Sequence, residues 1–328
     1  MLNPQLITEN IKNTLQPLRP FFDDPNITEI MANPGGLVFV ERNGYLDNCG
    51  VLLTESQIET ALIMMGKLMS RDVKPNDASA VVDSNFDDMR VAGALRTVSP
   101  AGSFISIRKH QPPENRPDLD KLIAWNAITD KEAEFLLTHV IGARKNCLIA
   151  GGTSSGKTTV TNAVLSRLPP HERIAVIEDS RELQIKVENK ICLVTNPTFH
   201  IHARLLVKLG MRIRPDRLIL GETRGDETYD VLRAFNSGHD GSITTVHASS
   251  PESALDAMEM LFQMSLPPGA SIPAAMIRQY IAKSVHVLVF AARSQVKEGD
   301  KTKYVRRVEG IYLIKGVKEN GQYDLEKI

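Results

Sequence analysis

Residues 151–158 read Gly-Gly-Thr-Ser-Ser-Gly-Lys-Thr, and that spacing suits one chemistry, the holding of nucleotide phosphates. Gly151, Gly152 and Gly156 admit backbone conformations closed to most side chains, so the N–H groups around Thr153, Ser154 and Ser155 can turn inward on one phosphate. Lys157 then reaches the β- and γ-phosphates, and the Thr158 hydroxyl takes a place on Mg²⁺, with Thr159 beside it. The order around the loop is the one the chemistry needs. An apolar run, Cys147-Leu148-Ile149-Ala150, predicts a buried strand before it, and a helix-compatible segment to about Arg167 follows, adding its unpaired N–H groups and positive dipole end.

The elements that must position further groups come next along the chain. Arg173 to Ile177 and Asp216 to Leu220 are short apolar runs of the kind that form strands buried on both faces. The first delivers Glu178 and Asp179, the second Gly221-Glu222, and Ser242 to Val246 delivers His247. In a parallel sheet the C-terminal strand ends share one edge, so these groups converge on Lys157. One carboxylate can hold a metal with Thr158 and another can position or deprotonate water; Glu178 and Glu222 fit those two roles, in an order that spacing leaves open. His247 is a structural hydrogen-bonding residue or a participant, and Arg224 a surface ion pair or a contact to phosphate or to a neighbouring subunit. The alternation of strand and helix predicts a mostly parallel sheet covered on both faces.

The first third of the chain has a different grain. Leu6 to Leu18 predicts a helix stopped by Pro17 or Pro20, Asn43-Gly44 a hairpin turn, and Thr54 the cap of a helix to Met69. Three strands over 80–83, 89–95 and 103–108 carry Arg90, Arg96 and Arg108, which are solvated strand-end charges singly and candidates for reaching phosphate as a set. Three prolines in 111–118 predict an extended linker between domains 1–110 and 119–328. The segment from Val296 to Ile328, with Lys301, Lys303, Arg306 and Arg307, reads as a solvated hairpin, with a docking tail as the alternative.

Composition narrows the classes. The 328 residues carry 39 acidic and 39 basic side chains, so no whole-chain field points to nucleic acid as the main partner. No apolar run is long enough to span a membrane, and Met1 to Gln5 lacks the basic start of a signal peptide, so a reducing, cytosolic setting is expected. Cys49, Cys147 and Cys192 are scattered, without the spacing of a zinc or redox site.

Four blocks in order, Gly151 to Thr159, Ile177 to Leu183, Arg214 to Arg224 and Gly238 to Ala248, resemble the Walker A, Asp box, Walker B and His box of the traffic ATPases of type II and type IV secretion. The absence of the four-cysteine module of many type II members makes the chain most similar to the type IV secretion and conjugal-transfer branch. The resemblance implies a PAS-like N-terminal α/β domain and a RecA-like P-loop domain, and ATP with Mg²⁺ as ligands. It implies phosphate and metal binding by Lys157 and Thr158, Glu178 as general base, Glu222 near metal and water, and His247 as a sensor of the γ-phosphate. Arg90, Arg96 and Arg108 would bring charge to a nucleotide held where the domains meet, closing them until hydrolysis. A homo-hexamer is implied, peripheral at the cytoplasmic face of the inner membrane, working with channel or inner-membrane ATPase components of a secretion system. Pilus assembly or retraction, an ATP-binding scaffold with little turnover, and a DNA-translocating motor are the rival expectations.

Overall fold

The structure, a computed structural model, describes residues 3–87, 89–109, 116–299 and 301–328. The chain divides into two compact units, 1–115 with 295–305, and 116–294 with 306–328. Most of the expected linker, 111–115, lies outside the described residues; Arg116, Pro117 and Asp118 are within them.

In the first unit the expected N-terminal helix is interrupted. Helix α1 (Pro4–Thr14) is capped by Asn3, whose side chain accepts from the Gln5 amide, and a single turn over Gln16–Leu18 then leads to α2 (Arg19–Asp23). Pro17 and Pro20 each lack an N–H for the ladder, which divides the segment into pieces. Six strands, β1 (Ile27–Ala32), β2 (Leu37–Arg42), β3 (Tyr45–Leu52), β4 (Val81–Phe86), β5 (Met89–Ala94) and β6 (Phe104–Lys109), form an antiparallel sheet in the order β4-β5-β6-β1-β2-β3. Asn43 and Gly44 take the left-handed conformation that joins β2 to β3 tightly. Helix α3 (Glu55–Leu68), opened by a Thr54–Gln57 capping box, buries Ile58, Leu62 and Met65 in a core with Ile30, Val91 and Ile107 of the sheet.

The second unit is a parallel sheet between two helical layers. Its strands are β7 (Cys147–Gly151), β8 (Ile174–Glu178), β9 (Lys190–Val194), β10 (Arg217–Leu220), β11 (Ile243–His247) and β12 (Val287–Glu298), in the order β12-β7-β11-β10-β8-β9, each neighbouring pair parallel. Strand β13 (Lys301–Val317) follows β12, and β14 (Tyr323–Lys327) pairs with it antiparallel. Alternate residues of β7 face opposite cores. Cys147 and Ile149 share a core with Leu122 of α4 (Leu119–Ala124), Ala133 and Leu136 of α5 (Asp130–Leu136), and Val160, Ala163 and Val164 of α6 (Lys157–Leu165), and Leu148 and Ala150 lie in the core of α7 (Ala203–Gly210), α8 (Thr228–Phe235), α9 (Pro251–Met264) and α10 (Ala274–Ser284). All five residues of β7 and of β8 are buried, as the apolar runs predict.

Helix α10 and strand β12 have no counterpart in the sequence reading. The run Val287 to Ala291 is as apolar as β7, and it completes the sheet on the far side of that strand. Among the described residues no helix is long and apolar enough to cross a membrane.

At the edge where the parallel strands begin, Arg217 is fully buried and spends all five N–H donors. Nε and Nη2 grip Glu172 at 2.5 and 3.0 Å, Nη1 reaches the carbonyls of Val140 and Gly241 at 2.7 and 3.1 Å, and Nη2 that of Ile141 at 2.7 Å. Gly241 is required here, since a Cβ would fall on the guanidinium.

Candidate active site

The opposite edge carries the groups that could do chemistry. The β7 register sets Gly151 beside His247, and that of β10 sets Leu220 beside Ile177 and Thr244, so the four expected strand ends finish together. From Gly151 the chain turns through Ser154 at φ 56° and Gly156 at φ 98° into α6. These left-handed residues curl the loop and leave the first amides of the helix facing its mouth. Ser155 Oγ is buried and has no hydrogen-bond partner among the described residues, an orphaned polar atom inside the loop.

Lys157 is 8% exposed, and its ammonium is folded into its own loop. It donates to the carbonyls of Gly151 and Gly152 at 2.9 and 3.0 Å and lies 3.2 Å from His247 Nδ1. An ammonium can only donate, so Nδ1 carries the lone pair and the proton of this imidazole sits on Nε2. Nε2 in turn faces Glu222 Oε1 at 3.0 Å. Glu222 Oε2 accepts from Arg224 at 2.6 Å, and Arg224 reaches Asp179 at 2.7 Å. Burial would raise the Glu222 carboxyl, but the bond and charge of Arg224, with His247 and Lys157 adding to them, hold it below its ordinary range. One relay thus joins Lys157, His247, Glu222, Arg224 and Asp179. Thr195 steadies its far end, donating to Asp179 at 2.9 Å.

Glu178 lies elsewhere. It is 6% exposed, and its Oε1 accepts the amides of Glu182 and Leu183 at 2.9 and 2.7 Å. Burial pushes its carboxyl up to about 7, against the pull of those two bonds. The side chain therefore shapes the loop that follows β8, and the carboxylate that this loop offers to the phosphate loop is Glu182. Thr158 Oγ1 donates to Glu182 Oε2 at 3.2 Å. Glu182 falls within the Ile177 to Leu183 block and carries no role in the sequence reading. The signal was available, because an acidic residue four positions past a strand-end Glu lies on a loop at the same sheet edge.

The three arginines of the first unit are only partly assembled. Arg90 and Arg108 are direct cross-strand partners on β5 and β6, with Arg90 paired to Asp83 at 3.1 Å, while Arg96 lies beyond the other end of β5. Like charges directly opposite repel, so the Arg90–Arg108 pair is a feature that acidic neighbours or an anion must offset. Arg306 is also a departure from expectation. Read as part of a solvated hairpin, it is half-buried, and its Nε donates to the Ser154 carbonyl of the phosphate loop at 2.9 Å.

The family model described as "Type II/IV secretion system protein" matches residues 53–308. The chain belongs to that family. A conjugal transfer protein, TrbB of Rhizobium radiobacter, is 30% identical over 88% of this chain and 85% of its own length. The type IV secretion system protein PtlH of Bordetella pertussis is 29% identical over 85% of this chain and 89% of its own. The Legionella pneumophila ATPase DotB superposes with a TM-score of 0.62 at 15% identity, over 91% of this chain and 80% of that one, a likeness of fold. The family expected from the four sequence blocks, and the two-domain α/β architecture, are thereby shown.

Proposed function

We propose that this chain binds and hydrolyses ATP to drive assembly or substrate transfer in a type IV secretion or conjugation machine. The observation that carries this reading is the Lys157–His247–Glu222 relay set against the Thr158–Glu182 contact, on either side of one phosphate loop. The names of the relatives, conjugal transfer protein and type IV secretion system protein, supply the machine.

Lys157 gives up part of its hold on the loop carbonyls to the β- and γ-phosphate oxygens, and its link to His247 passes that change to Glu222. Among the described residues no group of three or more His, Cys, Asp or Glu forms a metal cage. Mg²⁺ does not need one, since it keeps waters and substrate oxygens beside one or two protein ligands. Thr158 would supply such a donor, and Glu222, whose carboxyl is held below its ordinary range, the carboxylate. Bound there, Mg²⁺ would neutralise charge building on the β- and γ-phosphate oxygens. Water attacks the γ-phosphorus, a carboxylate takes its proton, and the bond to the β-phosphate oxygen breaks with its electron pair leaving on ADP. The family resemblance names Glu178 for the proton and the geometry favours Glu182, with Glu178 fixing its backbone.

The working assembly in this reading is a homo-hexamer, peripheral at the cytoplasmic face of the inner membrane and docked on channel components. Phosphate release from ATP by wild type, Glu178→Gln and Glu182→Gln tests the site. We expect Glu182→Gln to lose about 10²-fold or more in kcat and Glu178→Gln less. Wild-type protein without turnover, with or without lipid and partners, favours a scaffold instead.

A further inference from the structure

The chain passes into the second unit at two places, Asn115 to Arg116 and Val305 to Arg306. In both, the first residue inside is an arginine, and each guanidinium is spent on a main-chain carbonyl of the nucleotide site. Arg116 donates to the carbonyl of Glu182, where the Asn162 amide joins it at 3.1 Å. Asn162 also accepts the Gln184 amide at 2.8 Å, so the segment bearing Glu182 is held from three sides, by Glu178, Asn162 and Arg116.

Arg306 acts on the other loop. Its Nε holds the Ser154 carbonyl, and its Cβ lies where a side chain on Gly156 would be met at 3.7 Å. Ser154 is in the left-handed region, a conformation that residues other than glycine seldom keep without help. Carbonyl and N–H point oppositely across a peptide plane, so fixing the Ser154 carbonyl also fixes the Ser155 N–H. That N–H now makes a long bond of 3.3 Å to Gly152, one easily exchanged for a phosphate oxygen.

Resting on the proposed reading of this site, we propose that Arg306 and Arg116 are positioning residues with separate effects: Arg306 sets nucleotide affinity through the phosphate loop, and Arg116 sets turnover through Glu182. In this proposal both act through the main chain of the loops they hold.

The test is a split between binding and turnover in the full-length protein. A fluorescent ATP analogue gives Kd, single-turnover phosphate release gives the rate, and thermal melting is recorded for each variant. Arg306→Ala raises Kd about tenfold, as loss of a charge-assisted bond should, with the saturated rate changed less than about threefold. Arg116→Ala lowers the rate about tenfold with Kd changed less than about threefold. Arg306→Lys and Arg116→Lys, which keep a donor at the end of a flexible stem, recover part of each loss and serve as the variants measured if an alanine form fails to fold. Equal losses in both quantities, the reverse pattern, or no loss overturns the inference. Wild-type protein that binds no nucleotide overturns the reading of the site itself, and the inference falls with it.

Discussion

Strand β10 has a charged cluster at each end, and the two differ in a way that separates support from chemistry. At its start, Arg217 is wholly buried, bidentate on Glu172, and saturated by three carbonyls. Just past its end, Glu222 sits in a chain that runs out to His247 and Arg224, whose side chains are 48% and 46% exposed. A saturated, dry cluster has nothing left to offer a ligand. A cluster that ends in solvent, next to an orphaned hydroxyl on Ser155, keeps donors and acceptors that a ligand can claim. The presence of charge at a sheet edge is thus no sign of a site; the count of partners and the access of water decide.

The largest effect expected from this contrast is on stability. Arg217→Ala leaves Glu172 as a buried charge with Arg144 at 3.0 Å as its remaining partner, and should cost about 3–5 kcal/mol in urea unfolding. The double change Arg217→Met with Glu172→Leu should recover most of that, because it removes both charges together. A double variant as unstable as the single one breaks the comparison.

Glu178 comes next, a buried carboxyl at the chemical end of the sheet. Its folded value of about 7 lies above the ordinary 4.5, so the folded form binds the extra proton. This stabilisation is complete below about pH 4.5, fades as pH rises through about 7, and amounts to roughly 3 kcal/mol at most. Glu178→Gln should flatten the slope of unfolding free energy between those pH values; an unchanged slope assigns the proton elsewhere.

The smallest effect belongs to Arg224. Its pairs with Glu222 and Asp179 lie at the surface, and Arg224→Ala should change unfolding free energy by about 1 kcal/mol or less. A loss as large as that of Arg217→Ala would erase the distinction between the two ends.

Much of this was readable before the fold was known, and the residues show why. The phosphate loop, the helix cap at Thr54, and the strand ends at Glu178, Glu222 and His247 are local patterns, set by spacing within a few residues. Arg217 was read as the start of a strand, because its partners lie 24 to 77 positions away. Arg306 looked like a solvated charge, since the carbonyl it holds is 152 positions earlier. Glu182 is visible as an acid, but its task depends on Glu178 turning inward, which burial decides and spacing does not. Strand β12 is plainly apolar but has no turn or motif beside it that marks it as a strand.

The central claim is that nucleotide phosphate is held by Lys157 in the loop after β7. Titration of the full-length protein with a nonhydrolysable ATP analogue tests it most directly, wild type against Lys157→Ala, with melting as a control for folding. The account predicts saturable binding by wild type that the substitution weakens by about 10²-fold or more, with the melting temperature of the nucleotide-free protein little changed. Equal binding by the two proteins would contradict it.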